Sequence, residues 1–224
     1  MSAPTFSFLN IAGILYLCTM FYLNHLLFGF AMAAVGVALP GMINMTSVST
    51  SLKKGLRAGL QFSIGSSIAI FFQVLIAVFF AGFLGRNPEI FIYLKRAAIF
   101  IFLVLSIVFL YQALHPKEVS GSSRKGSAFL TGMVITNLNV LNIPYYFTFS
   151  TYLKANRFLS LQAPFYWFFI LGSALGALSL LAAYAHFADY ISKRAAYFTR
   201  NINYFLSGIF LMLAIIQVIQ LISD

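Results

Sequence analysis

Five amide side chains interrupt apolar sequence that is long enough to cross a bilayer: Asn44, Gln73, Asn137, Asn139 and Asn142. Burying an unpaired amide in an apolar medium is costly, so each of these groups must find a partner. An amide can donate to a carboxylate and accept from an ammonium group, which suits a cavity for a small zwitterion. The alternative is that the amides bond across helices or cap broken helix ends.

Two proline sites lie close to these amides. Pro40 and Gly41 precede Asn44, and Pro144 follows Asn142 by two residues. Proline removes a backbone donor and clashes with the preceding turn, so a helix is expected to break at each site. Irregular backbone is tolerated at membrane depth only where protein or a water-filled cavity satisfies it, as in the midplane sites of transporters. The prolines and Gly41 therefore join the amides as candidate substrate-binding residues.

The composition excludes an ordinary soluble protein. Hydrophobic residues make up 61% of the 224 residues and charged residues only 8%. The apolar stretches approach 20 residues, which predicts an all-α membrane bundle rather than a barrel. The net charge of +10 falls mainly between the apolar stretches, so it indicates membrane topology rather than nucleic-acid binding. The single cysteine, Cys18, excludes dithiol chemistry, and the sequence predicts neither an enzyme nor a bound cofactor or metal.

Window length and flanking charge predict six membrane spans in one transmembrane domain. The predicted spans are 24–50, 58–83, 91–113, 127–152, 164–189 and 203–222. Residues 6–23 are also apolar and could form a seventh helix, an extension of the first or an interfacial segment, of which the extension is favoured.

Basic residues fall unevenly on the two sides of these spans. Connectors one, three and five hold nine Lys and Arg residues, and the other side holds five. The excess predicts that these connectors are cytoplasmic and that both termini lie outside. The protein is expected to reside in the inner membrane.

Short matches predict an internal repeat. Residues 49–53 and 150–154 read STSLK and STYLK, and residues 62–66 and 169–173 read FSIGS and FILGS. The predicted organisation is an N-terminal extension at 1–23, repeat one at 24–113, a cytoplasmic loop at 114–126 and repeat two at 127–222. Three spans per repeat invert the second copy, so the two broken helices are expected to face each other near the midplane.

These motifs resemble the LysE/RhtB family of amino-acid exporters over about residues 22–222. The family pattern Pro-Gly-Pro with a following asparagine corresponds to Pro40-Gly41-Met42 and Asn44, and the family Asn-Pro corresponds to Asn142-Ile143-Pro144. A basic loop ending in residues 57–59 also matches. The missing second proline and the inserted residue indicate a divergent member.

The resemblance implies a secondary transporter, in the lipid bilayer, that exports an amino acid with proton coupling. Family members often carry an acid at the position near Ile70, but this chain has no Asp or Glu deep in any predicted span. A doubly charged or hard cation would then meet no compensating charge, which favours a small neutral amino acid. A metal-cation exporter is the alternative. The oligomeric state is open, with a homo-oligomer among the possibilities.

The histidines suggest little chemistry. His186 and Asp189 are three residues apart, so on one helix they would share a face and could relay a proton, although a solvated pair near the interface is favoured. His25 and His115 lie at span edges and are expected to be interfacial.

Overall fold

The computed structural model describes residues 6–38, 41–84, 86–87, 90–114, 126–139 and 141–223. Pro40, His115 and most of the predicted cytoplasmic loop lie outside the described residues. Regular structure in the described part of the chain is entirely helical, which confirms the all-α prediction. The helices are α1 (Phe6–Ala38), α2 (Met42–Lys54), α3 (Leu56–Leu84), α4 (Ile90–Leu114), α5 (Ala128–Leu138), α6 (Asn142–Ala155), α7 (Phe165–His186) and α8 (Ala188–Ser223).

Three described helical segments are long and apolar enough to cross a membrane. They are Thr19–Ala38 in α1, Leu56–Leu84 and Phe165–His186. Three shorter apolar segments, Ile99–Val108, Ala128–Leu138 and Ser207–Ile216, lie within the third, fourth and sixth predicted spans. The protein is therefore a helical membrane protein with several crossings, and the count of six remains a prediction.

The first helix break divides the predicted span 24–50. Helix α1 runs unbroken from Phe6 to Ala38, so residues 6–23 are continuous with the start of the first predicted span. Gly41 is extended, with φ −135°, and α2 begins at Met42. Beyond the break the chain forms a short, serine-rich helix rather than a continuation of the apolar span.

The second helix break divides the predicted span 127–152 just ahead of its proline. Helix α5 ends at Leu138, and α6 begins at Asn142. Pro144 thus lies in the first turn of α6. Backbone N–H groups in a first turn make no intrahelical hydrogen bond, so the proline costs the helix none. The proline therefore marks the start of the new helix.

Close packing joins α1 to α7 and α3 to α5. A Cβ atom at Gly172 would overlap the backbone oxygen of Leu26, and one at Gly65 would overlap that of Phe129. Small residues let membrane helices approach this closely and gain dispersion energy. Helix α3 also packs against α2, α6 and α7, while α4 packs mainly against α8. Helix α3 therefore lies at the centre of the bundle.

The closeness of the α3–α5 crossing predicts that Gly65→Ala destabilises the protein. The added methyl group meets backbone, so the helices must separate, at a cost of about 1–3 kcal/mol. Gly82→Ala is the matched control in the same helix, because no atom lies within 4 Å of a Cβ placed there. We expect a lower thermal unfolding midpoint in detergent for Gly65→Ala only. Equal midpoints for the two variants would contradict this packing.

Candidate functional site

A chain of three amides connects α3 to the second break. Asn142 Nδ2 donates to Gln73 Oε1 at 2.8 Å, and Asn139 Nδ2 donates to Asn142 Oδ1 at 3.1 Å. Gln73 is 3% exposed, whereas Asn139 and Asn142 are half-buried. We call Gln73, Asn142 and Asn139 the amide chain. The amide chain places hydrogen-bond donors and acceptors in alternation beside the break between α5 and α6.

Gln73 also caps the end of α5. Its Nε2 donates to the Thr136 carbonyl oxygen at 2.9 Å, which the Asn139 backbone N–H also approaches, at 3.1 Å. The last carbonyls of a helix have no intrahelical donors, so an outside donor stabilises the break. Gln73 thus uses one end of its amide to hold α5 and the other to hold α6.

The hydroxyl of Thr136 adds an unpaired polar group at the same place. Thr136 is fully buried, and its Oγ1 has no hydrogen-bond partner among the described residues. This residue was not predicted, because a lone threonine in a helix ordinarily bonds back to its own turn. A buried hydroxyl beside the amide chain can donate to or accept from a small polar ligand.

The first break is capped by similar chemistry. Asn44, which is 4% exposed, donates its Nδ2 to the Val37 carbonyl oxygen. The Tyr184 hydroxyl, from α7, donates to the Ala38 carbonyl oxygen at 2.8 Å. These two carbonyls belong to the last turn of α1. A side-chain amide therefore caps the helix that ends at each break.

The start of α6 contacts α1 close to the first break. The Tyr145 hydroxyl, in the first turn of α6, donates to the Met32 carbonyl oxygen of α1 at 2.8 Å. A Cβ atom at Gly36 would lie 2.8 Å from the Tyr145 ring. Val37 and Ile43, on either side of the first break, belong to the same core cluster as Tyr146 of α6. The start of α6 therefore packs against the end of α1.

The other predicted site residues are placed less centrally. Gly41 and Pro144 are exposed at the starts of α2 and α6, and Pro40 lies outside the described residues. Asn137 is exposed and donates to the Met133 carbonyl of its own helix at 2.9 Å. The structure therefore brings together Gln73, Asn139 and Asn142, and leaves Asn137 outside the amide chain.

A serine face on α2 was not predicted. Ser51 Oγ donates to the Ala185 carbonyl at 2.7 Å, and Ser47 Oγ donates to the Leu181 carbonyl at 3.2 Å. Ser47 also lies 3.4 Å from Ser63 of α3. The spacing of four between the two α2 serines indicates one helix face, and this pattern could have revealed the contact with α7.

The structure places two of the histidines in contrasting environments. His25 is fully buried within the protein, where its Nδ1 donates to the Phe21 carbonyl at 2.7 Å and its Nε2 accepts the Ser160 backbone N–H at 2.9 Å. His186 and Asp189 do not share one helix face, because α7 ends at His186 and α8 begins at Ala188. Both are exposed, as the solvated interpretation predicts.

The sequence model of the LysE type translocator family matches residues 34–221. No curated protein and no solved structure gives a significant match. The matched region begins in the last turns of α1 and contains both breaks, the amide chain and nearly all of α8. LysE type translocators are membrane exporters rather than enzymes, which agrees with apolar helices interrupted at polar sites. Because the match covers most of the sequence, the chain belongs to the LysE type translocator family.

Proposed function

We propose that this exporter carries a small neutral amino acid, or a close derivative, across the inner membrane. The observation that carries the proposal is the amide chain, which joins α3 to the broken helix through side-chain hydrogen bonds at 2.8 Å and 3.1 Å. Amides offer donors and acceptors without a net charge. Such a site suits a ligand that carries one positive and one negative group.

The helix ends at the breaks complement the two groups of a zwitterion. The ends of α1 and α5 present carbonyl oxygens, which favour an ammonium group, and the starts of α2 and α6 present N–H groups, which favour a carboxylate. The unpaired Thr136 hydroxyl lies at the end of α5 and offers a further contact.

The charge of the predicted spans supports a neutral side chain on the substrate. No Asp or Glu lies deep in any of them, and Ile70, near the position where family members often carry an acid, is fully buried. A substrate with a second positive charge would lose its hydration there without gaining a counter-charge. Metal-cation export is the alternative function, and a comparison of cargoes distinguishes the two.

Equivalent contacts support transport by two inverted three-helix repeats. In the α3–α5 crossing, Gly65 meets the Phe129 carbonyl and Gly132 meets the Phe62 carbonyl. In the α7–α1 crossing, Gly172 meets the Leu26 carbonyl and Gly29 meets the Phe169 carbonyl. These pairs have the same spacing of three in all four helices, and they include the two repeated motifs. Rocking of one repeat against the other about the breaks would open the site to alternate sides.

Removing the amide chain is expected to impair export. Gln73→Leu or Asn142→Ala leaves a buried polar partner unpaired, at about 1–3 kcal/mol, so we expect a fall in initial efflux of about tenfold or more. Asn137→Ala is the matched control, because among the described residues its amide bonds to the Met133 carbonyl of its own helix. The measurement is radiolabelled amino-acid efflux from proteoliposomes, at equal amounts of folded protein. Wild-type efflux in both amide-chain variants would exclude this site.

The substrate class is tested by comparing cargoes in the same proteoliposomes. We expect efflux of leucine, threonine or homoserine, faster with an imposed proton gradient, and little efflux of lysine or Mn²⁺. Family resemblance implies the proton coupling. Export of lysine or Mn²⁺ without any neutral amino acid would overturn the proposed substrate class and, for Mn²⁺, favour the alternative.

A further inference from the structure

A basic cavity of about 440 Å³ lies where α3 and α6 end and α7 begins. Three cationic side chains line it: Arg86, just after α3, Lys154, in the last turn of α6, and Arg157, just after α6. Phe21, Gly82 and the loop residues 159–162 complete the wall. The topology predicted from charge places this end outside, so this cavity is separate from the amide chain at the breaks.

The three cations lack a nearby counter-charge in the described part of the chain. Among the described residues, no acidic side chain lines the cavity. The described acid Asp189 lies beyond the far end of α7, a 22-residue helix of about 33 Å. All three side chains are exposed, and three cations around one cavity give it a positive potential that attracts an anion.

The backbone at Arg157 supports a role for its side chain. Its φ of 60° lies in the left-handed region, where glycine is favoured, especially just after a helix. The turn is set by backbone bonds, with Arg157 N–H donating to the Lys154 carbonyl at 3.0 Å and Phe158 N–H to the Leu153 carbonyl at 2.9 Å. An arginine therefore occupies a position where glycine would have less backbone strain. Its planar guanidinium binds oxyanions through paired hydrogen bonds.

A buried contact holds the loop at residues 159–162, which lines the cavity, in place. His25 is fully buried and accepts the backbone N–H of Ser160, which lines the cavity. Ring contacts from Phe21 and Phe165 pack around the imidazole, with centroids 4.8 Å and 5.4 Å away. The loop that faces the cations is thus anchored to α1, so the cavity does not depend on a ligand to shape that wall.

We propose that this cavity binds an oxyanion, the phosphate or carboxylate group of an anionic molecule, between Arg86, Lys154 and Arg157. Such a group could come from an anionic lipid headgroup or from a dissolved solute. This cavity is distinct from the proposed substrate site, and an oxyanion would bind there without being transported.

Two binding arms test the site and separate the sources. In the first, calorimetry measures the affinity of inorganic phosphate for the protein in phosphatidylcholine nanodiscs. In the second, native mass spectrometry counts phosphatidylglycerol molecules retained by the protein in detergent. The variants are Arg157→Gly, the double variant Arg86→Gln/Lys154→Gln, and the control Lys193→Gln, which removes one exposed charge from α8.

We expect saturable binding in at least one arm, a loss of about tenfold or more in Arg157→Gly and in the double variant, and no loss in the control. Arg157→Gly relieves a left-handed backbone position, so its unfolding midpoint should not fall. Phosphate binding would identify a dissolved source, and lipid retention a headgroup. The proposal is overturned if neither arm shows saturable binding, or if both basic-site variants bind like wild type. Neither arm measures transport, so a failure of export would leave this result standing.

Discussion

The structure depends on hydrogen bonds to the backbone groups that are freed where two helices are interrupted inside an apolar bundle. The last carbonyls of α1 and α5 lose the donors that a continued helix would supply, and a bilayer supplies none. Side-chain amides supply donors at both places, from Asn44 to Val37 and from Gln73 to Thr136. Because Gln73 also accepts from Asn142, the group that closes α5 fixes the start of α6 as well. Interhelical hydrogen bonds of this kind, and not a hydrophobic driving force alone, determine where the helix halves lie.

Close glycine crossings bring these groups within reach of one another. Helix α3 carries Gly65 at its crossing with α5, and Gln73 lies about two turns further along the same helix. Helix α7 carries Gly172 at its crossing with α1 and Tyr184 near its other end, where the hydroxyl reaches Ala38. The α3–α5 and α7–α1 pairs thus each combine a close glycine crossing with a side-chain hydrogen bond to the helix end at the break. The arrangement connects the packing of the bundle to the chemistry of the candidate site.

The two helix breaks were predictable from local sequence, whereas the contacts made at them were not. The chemistry of Pro144 and Gly41 is local, so the interruptions before α6 and α2 could be predicted from residue type alone. Which way a side chain points depends on helical phase, at 100° per residue, and on the neighbouring helix. Asn137 and Asn139 are therefore indistinguishable in sequence, yet only Asn139 joins the amide chain. The burial of His25 and the role of Thr136 depend on tertiary contacts with Ser160 and Gln73, which no local pattern encodes.

We propose that Gln73 and Asn142 act together as the substrate site of this LysE type translocator. The decisive experiment is a double-mutant cycle on the affinity of the purified protein for a neutral amino acid. Gln73→Leu and Asn142→Ala are each expected to weaken binding by about tenfold, and the double variant is expected to lose little more than either single change. Wild-type affinity in the double variant, with the fold intact, would show that these two residues do not form the site.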